Sequence, residues 1–164
     1  MTELGRHSVD LVLSDSTLTP AGGVRAFNHL LGQSGVGLFG TPQLVARVRR
    51  DFPNSLNRVP LLLPGRNTAL RRSLESWLQL HELTPRIRGE FDDKALLKAF
   101  GQTGEGLFPG TLAIADEICR QYEVELAGEL DGVVEHFYAI SVERRIRHPA
   151  VLAISSTAKS ALFT

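Results

Sequence analysis

Nine residues in this 164-residue chain stand just past short apolar runs and could carry chemistry: Ser14 and Asp15, then Gly65, Arg66, Asn67 and Thr68, then Glu90, Asp92 and Asp93. In an open α/β sheet the crevice beyond the carboxyl ends of the strands is where ligands bind. These residues are therefore the candidate lining of a binding cleft. Their hydroxyl, amide, guanidinium and carboxylate groups suit a small polar or ionic ligand. Paired carboxylates such as Glu90 and Asp92 also serve acid/base catalysis, although only their proximity in sequence speaks for that use. Each has a structural reading too, with Asn67 or Thr68 and then Asp92 capping helices and Arg66 standing as a solvated turn residue.

The elements that must position them follow from periodicity. The run "VDLVL" at Val9 to Leu13 reads as a strand, with a turn at Thr19 to Gly23. "GVGLFG" at Gly35 to Gly40 reads as a second, followed by Thr41 as a cap and a helix from Pro42 to about Arg50. "FPNSLNR" breaks the pattern before a strand at Val59 to Leu63. A Pro-Gly turn then leads into an amphipathic helix, in which Leu70, Leu74, Trp77, Leu78 and His81 share one face; Trp77 is expected to be buried. A strand at Arg86 to Glu90 precedes a helix containing Leu96, Leu97, Ala99 and Phe100, which Gly101 and Gly104 stop. Next come a strand near Glu105 to Phe108 and a helix from Leu112 to Gln121 capped by Thr111. β-like runs at Tyr122 to Leu126 and Val134 to Val142 and a last helix from Pro149 complete the chain. Strands alternating with helices predict an α/β fold with a mainly parallel sheet and helices on both faces.

Several chemistries are excluded or weak. Gly35, Gly37 and Gly40 satisfy the spacing G-x-G-x-x-G, but they lie inside the apolar run rather than in the turn after it. No acid stands near Asn57 to Leu61, where a ribose-binding carboxylate belongs. No phosphate loop of the G-x-x-x-x-G-K-[ST] type and no G-x-S-x-G elbow occurs. The five histidines never pair at helical spacing, and the single cysteine, Cys119, can form neither an internal disulfide nor a Cys-based zinc site. No catalytic residue, cofactor or resident metal is therefore expected.

At 43% hydrophobic and 22% charged residues the chain can bury a core and leaves little room for disorder. Eighteen basic and eighteen acidic side chains cancel, which argues against a free-standing DNA-binding domain. Clustered Arg47, Arg49 and Arg50 can still hold phosphates non-specifically. With no long apolar run and no signal-peptide layout, neither membrane insertion nor secretion is expected, and the cytoplasm is the expected compartment.

The segments "LLLPGRNTALRRSL", "GEFDDKALLKAFG" and "EGLFPGTL", with "HSVDLVLSD", "SGVGLFG" and "VVEHFYAISVERRIRHPAV", together resemble the effector-binding domain of LysR-type transcriptional regulators. The resemblance implies a type 2 periplasmic-binding-protein-like α/β fold, with one complete lobe plus part of the other. Residues 1–30 would belong to lobe one, 31–143 would form crossover strands and lobe two, and 144–164 would return to lobe one. The winged helix-turn-helix of such regulators would precede Met1, so promoter DNA would be met only through that missing part and no residue here is a DNA-reading candidate. Lobe one, lacking its neighbours, would then expose Leu11, Val12, Val151, Leu152 and Ile154.

The resemblance is greatest to the sodium- and pH-responsive branch of the family, and so implies a homo-oligomeric activator answering to an ion or small molecule. A hard cation takes oxygen ligands, which makes Asp15, Glu90 and Asp92 the candidate sodium ligands. An organic anion at the helix start near Asn67 and Thr68 is the other candidate effector. A solute-binding protein of the same fold and a small acid/base enzyme are the rival readings.

Overall fold

The computed structural model describes residues 11–15 and 26–141. The elements are β1 (Val12–Ser14), β2 (Phe27–Gly40), α1 (Pro42–Val48), β3 (Leu61–Pro64), α2 (Ala69–Leu80), β4 (Ile87–Phe91), α3 (Lys94–Gln102), β5 (Phe108–Thr111), α4 (Ala115–Tyr122) and β6 (Glu125–Ser141). Short 3-10 turns at Arg49–Asp51, Asn54–Arg58 and Leu112–Ile114 lie between them. The chain divides into unit 1, residues 1–34 and 136–164, and unit 2, residues 35–135. The expected turn at 19–23, the final helix from Pro149, and the exposure expected of Val151, Leu152 and Ile154 fall outside the described residues. In unit 1, β1 runs antiparallel to the end of β6, with Val12 opposite Ile140 and Ser14 opposite Tyr138. Ala26 and Ile140 are buried there beside Val12 and Tyr138.

Unit 2 shows why β3 reads as an unbroken apolar run. Leu61, Leu62 and Leu63 are all buried, because helices cover both faces and successive side chains point opposite ways. Leu61 and Leu63 join Val36, Leu38, Val45, Leu74, Trp77 and Leu107 in one core. Leu62 joins Phe39, Leu97, Phe108 and Ile118 in the other. Thus α1 and α2 pack on one face, α3 and α4 on the opposite one.

The sheet departs from the mainly parallel arrangement expected. β3 and β4 are parallel, and Leu61 bridges Leu107 in the same sense, so the strand-helix alternation holds for these elements. β2, however, is antiparallel to β5, with Val36 opposite Thr111 and Phe39 opposite Phe108, and the larger sheet has the order β1-β6-β2-β5. The reason is connectivity. β2 and β6 are long strands that carry the chain between the two units, and a strand entering that way need not follow the direction set by helical crossovers. Of the two β-like runs expected at 122–126 and 134–142, residues 125–126 and 134–141 are parts of this one strand β6; Tyr122 ends α4, Glu123 and Val124 link the two elements, and Val142 falls outside the described residues.

Smaller corrections concern element ends. The strand expected at 105–108 begins at Phe108, because Gly106 lies against the Pro60 carbonyl and Leu62 side chain and Leu107 makes only an isolated bridge. Thr41 precedes α1, as its position and Pro42 implied, but its side chain makes no capping bond. Gly35, Gly37 and Gly40 are packing glycines within β2. A Cβ at Gly37 would meet Leu126 at 2.6 Å, and one at Gly40 would meet Leu107 at 2.4 Å.

Candidate functional site

The turn after β3 is built around Gly65. Its N–H donates to the Phe91 carbonyl at 2.9 Å, tying the end of β3 to the end of β4. A Cβ on Gly65 would stand 2.3 Å from Asp92 Oδ1, so only glycine lets this turn approach the Asp92 carboxylate so closely. Thr68 then starts α2: its hydroxyl accepts from the Arg71 N–H at 3.1 Å and donates to the Gly65 carbonyl at 2.9 Å. Asn67 is exposed, and its carbonyl accepts from Arg72 at 3.4 Å.

Glu90 lies at the centre of the charges here. Its Oε1 accepts from Arg66 Nε at 3.3 Å and from Arg71 Nη2 at 3.2 Å. The hydrogen bond from Arg71, followed by that from Arg66, holds the Glu90 carboxyl below its usual range against the opposing effect of desolvation. Arg71 itself is buried, and its guanidinium also donates to the Pro64 carbonyl at 2.9 Å and to Glu75 at 2.8 Å. Arg66, by contrast, has a side chain 75% exposed and can turn to a ligand.

The structure therefore brings Gly65, Arg66, Asn67, Thr68, Glu90, Asp92 and Asp93 to neighbouring strand and helix ends of unit 2, whereas Ser14 and Asp15 belong to unit 1. The expected cap of the helix after β4 is corrected. Asp93, not Asp92, caps α3, its Oδ1 accepting from the N–H groups of Ala95 at 2.8 Å and Leu96 at 3.3 Å. Being one residue nearer the helix, Asp93 reaches those donors, while Asp92 stays exposed against Gly65. Among the described residues, no group of three His, Cys, Asp or Glu side chains is placed to hold a metal ion.

Two buried charged residues escaped the sequence reading. Arg71 shares the helical spacing of Leu74 and Leu78, which was the available signal for its burial. Glu135 alternates with buried Val133 on β6 and is itself only 7% exposed. Its carboxylate accepts from Thr111 Oγ1 at 2.8 Å and from Lys94 Nζ at 3.5 Å. The Thr111 hydroxyl is thus spent on Glu135 and makes no capping bond, contrary to its expected role. Burial, helped by Lys94 and opposed by Glu135, pushes the neighbouring Lys98 ammonium down. Burial likewise pushes the Cys119 thiol up, away from nucleophilic character.

No protein-family model matches the chain. It is 34% identical over all 164 residues to the transcriptional activator protein NhaR of Escherichia coli, of which it spans 54%, about half the relative's length. The regulatory domain of HypT from Salmonella typhimurium has the same fold, with a TM-score of 0.65 at 20% identity over 98% of this chain and 78% of that one. So does the effector domain of the regulator AmpR of Pseudomonas aeruginosa, with a TM-score of 0.67 at 16% identity over 96% of this chain and 73% of that one. In sequence along its whole length and in its type 2 periplasmic-binding-protein-like fold, the chain is similar to the effector-binding regulatory domain of LysR-type transcriptional regulators.

Proposed function

We propose that the chain is the effector-sensing part of a LysR-type activator acting in the cytoplasm, and that its effector is a small molecule carrying an anionic group. The observation that supports this best is the charge arrangement around Glu90. Two guanidiniums share this one carboxylate, so a cation arriving at Glu90 would have to displace both. An anion, by contrast, gains exposed Arg66 beside the Thr68-capped start of α2. Gly65, Asn67, Asp92 and Asp93, all of unit 2, are proposed as further contacts. Such a ligand would change transcription only in so far as it binds two arrangements of a homo-oligomeric regulator unequally. Promoter recognition would belong to a helix-turn-helix outside this chain, and no turnover is expected.

A sodium- or pH-responsive activator is the second reading. The exposed Asp92 carboxylate favours it, since among the described residues it makes no hydrogen bond or ion pair. Calorimetric titration with small carboxylic acids, and separately with NaCl against KCl at constant ionic strength, separates the two readings. Saturable carboxylate binding that is lost in Arg66→Gln supports the first, whereas sodium-selective binding lost in Asp92→Asn supports the second.

A further inference from the structure

Four arginines fall within twelve residues of the chain, Arg47, Arg49, Arg50 and Arg58, with Asp51 the one acid among them. All four side chains are exposed, on α1 and on the two 3-10 turns that follow it. These segments pack against one another, and Arg47 Nη2 donates to the Arg58 carbonyl at 2.8 Å, so residues eleven apart in sequence share one surface. Arg49 reaches away to Glu125 at 3.2 Å and the Leu126 carbonyl at 3.4 Å. Arg47, Arg50 and Arg58 are left as a cationic face on a chain whose total charge is zero. Acids concentrate instead in one later segment, where Asp116, Glu117, Glu123, Glu125, Glu129 and Asp131 follow one another with Arg120 the only base between them, and Glu125 of that segment borders the arginines through Arg49.

We infer that the Arg47, Arg50 and Arg58 face contacts the phosphate backbone of double-stranded DNA. The choice of arginine at every position fits phosphate oxygens, to which a guanidinium donates two parallel hydrogen bonds. A contact to phosphate oxygens carries no sequence information, so the inferred binding is independent of sequence and follows the release of counterions. Resting on the proposal that the chain belongs to a DNA-bound activator, this face would seat the regulatory domain on duplex flanking the site.

The test needs only the chain as it stands and a labelled duplex of arbitrary sequence, with binding followed by fluorescence anisotropy as salt is raised. It therefore stands or falls apart from the effector assignment. Neutralising about three phosphates predicts a slope of log K against log salt of about −2 to −3. Arg47→Ala, Arg50→Ala and Arg58→Ala combined should abolish the binding, with unchanged circular dichroism showing that the fold persists. The corresponding triple lysine variant should keep most of the slope. The inference is overturned if the wild type fails to bind at low salt, if the alanine variant keeps the full slope, or if single-stranded RNA is bound in clear preference to the duplex.

Discussion

Arg71, buried on α2, donates to the carboxylate of Glu90 on β4 at 3.2 Å, nineteen residues further along the chain. Through its bond to the Pro64 carbonyl the same guanidinium also joins the end of β3. One side chain thus fixes three elements that meet at the candidate site.

Arg71→Ala is expected to destabilise unit 2 by about 2–4 kcal/mol, because it leaves the Pro64 carbonyl without its charged donor and removes packed side-chain carbons. Arg71→Lys should recover little of this, since an ammonium lacks the fork that reaches three acceptors. Urea unfolding midpoints check both variants, and full stability in the lysine variant would contradict the bridging role.

The depressed Glu90 titration fixes a pH dependence. Since the folded carboxyl titrates lower than the unfolded one, the stabilisation is complete above the ordinary carboxylate range and is lost as pH falls through the folded value. Wild type should exceed Glu90→Gln in stability by a constant margin near neutrality, with the margin closing in acid. A margin unchanged down to strongly acidic pH would show that the arginines do not favour the ionised form.

The capping assignment separates two adjacent acids. Asp93→Ala should cost roughly 0.5–2 kcal/mol through loss of the bonds to the first turn of α3. Asp92→Ala should leave the helix intact. Equal losses in thermal unfolding would refute the distinction.

Trp77 is the single tryptophan and is 5% exposed, packed near Phe52 and with its ring centroid 4.2 Å from that of His81. Its emission should be blue-shifted and weakly quenched by iodide. Trp77→Ala should cost on the order of 3–5 kcal/mol. Trp77→Phe should cost much less, because the indole Nε1 has no hydrogen-bond partner to lose. Emission typical of water-exposed indole would contradict the packing.

The sequence carried β3 and α2 plainly, because a short apolar run is followed by an amphipathic helix, and it placed β4 between that helix and the next, whereas β5 was met only at Phe108. It carried Trp77 through the same amphipathic spacing of α2. β2 and β6 were legible only in part. Polar residues such as Asn28, Gln33, Asp131 and His136 interrupt the apolar pattern wherever a strand has solvent on one side. At the site, turn chemistry revealed Gly65 to Thr68, whereas Arg71 and Glu135 stayed hidden. Charge suggests exposure until partners from distant elements are in place, and Pro64, Glu90, Lys94 and Thr111 supply them only in the fold.

The effector assignment is tested most directly by thermal unfolding of the chain against a panel of small carboxylic acids, with sodium and potassium chloride as matched controls. A ligand that binds only the folded chain stabilises it by about 2.7 kcal/mol at a hundred times its dissociation constant. At least one carboxylate is expected to raise the unfolding temperature saturably, with no turnover. Arg66→Gln should abolish the effect and Gly65→Ala should weaken it by displacing the Asp92 carboxylate. A rise specific to sodium and undiminished in Arg66→Gln, or chemical conversion of the acid, would contradict it.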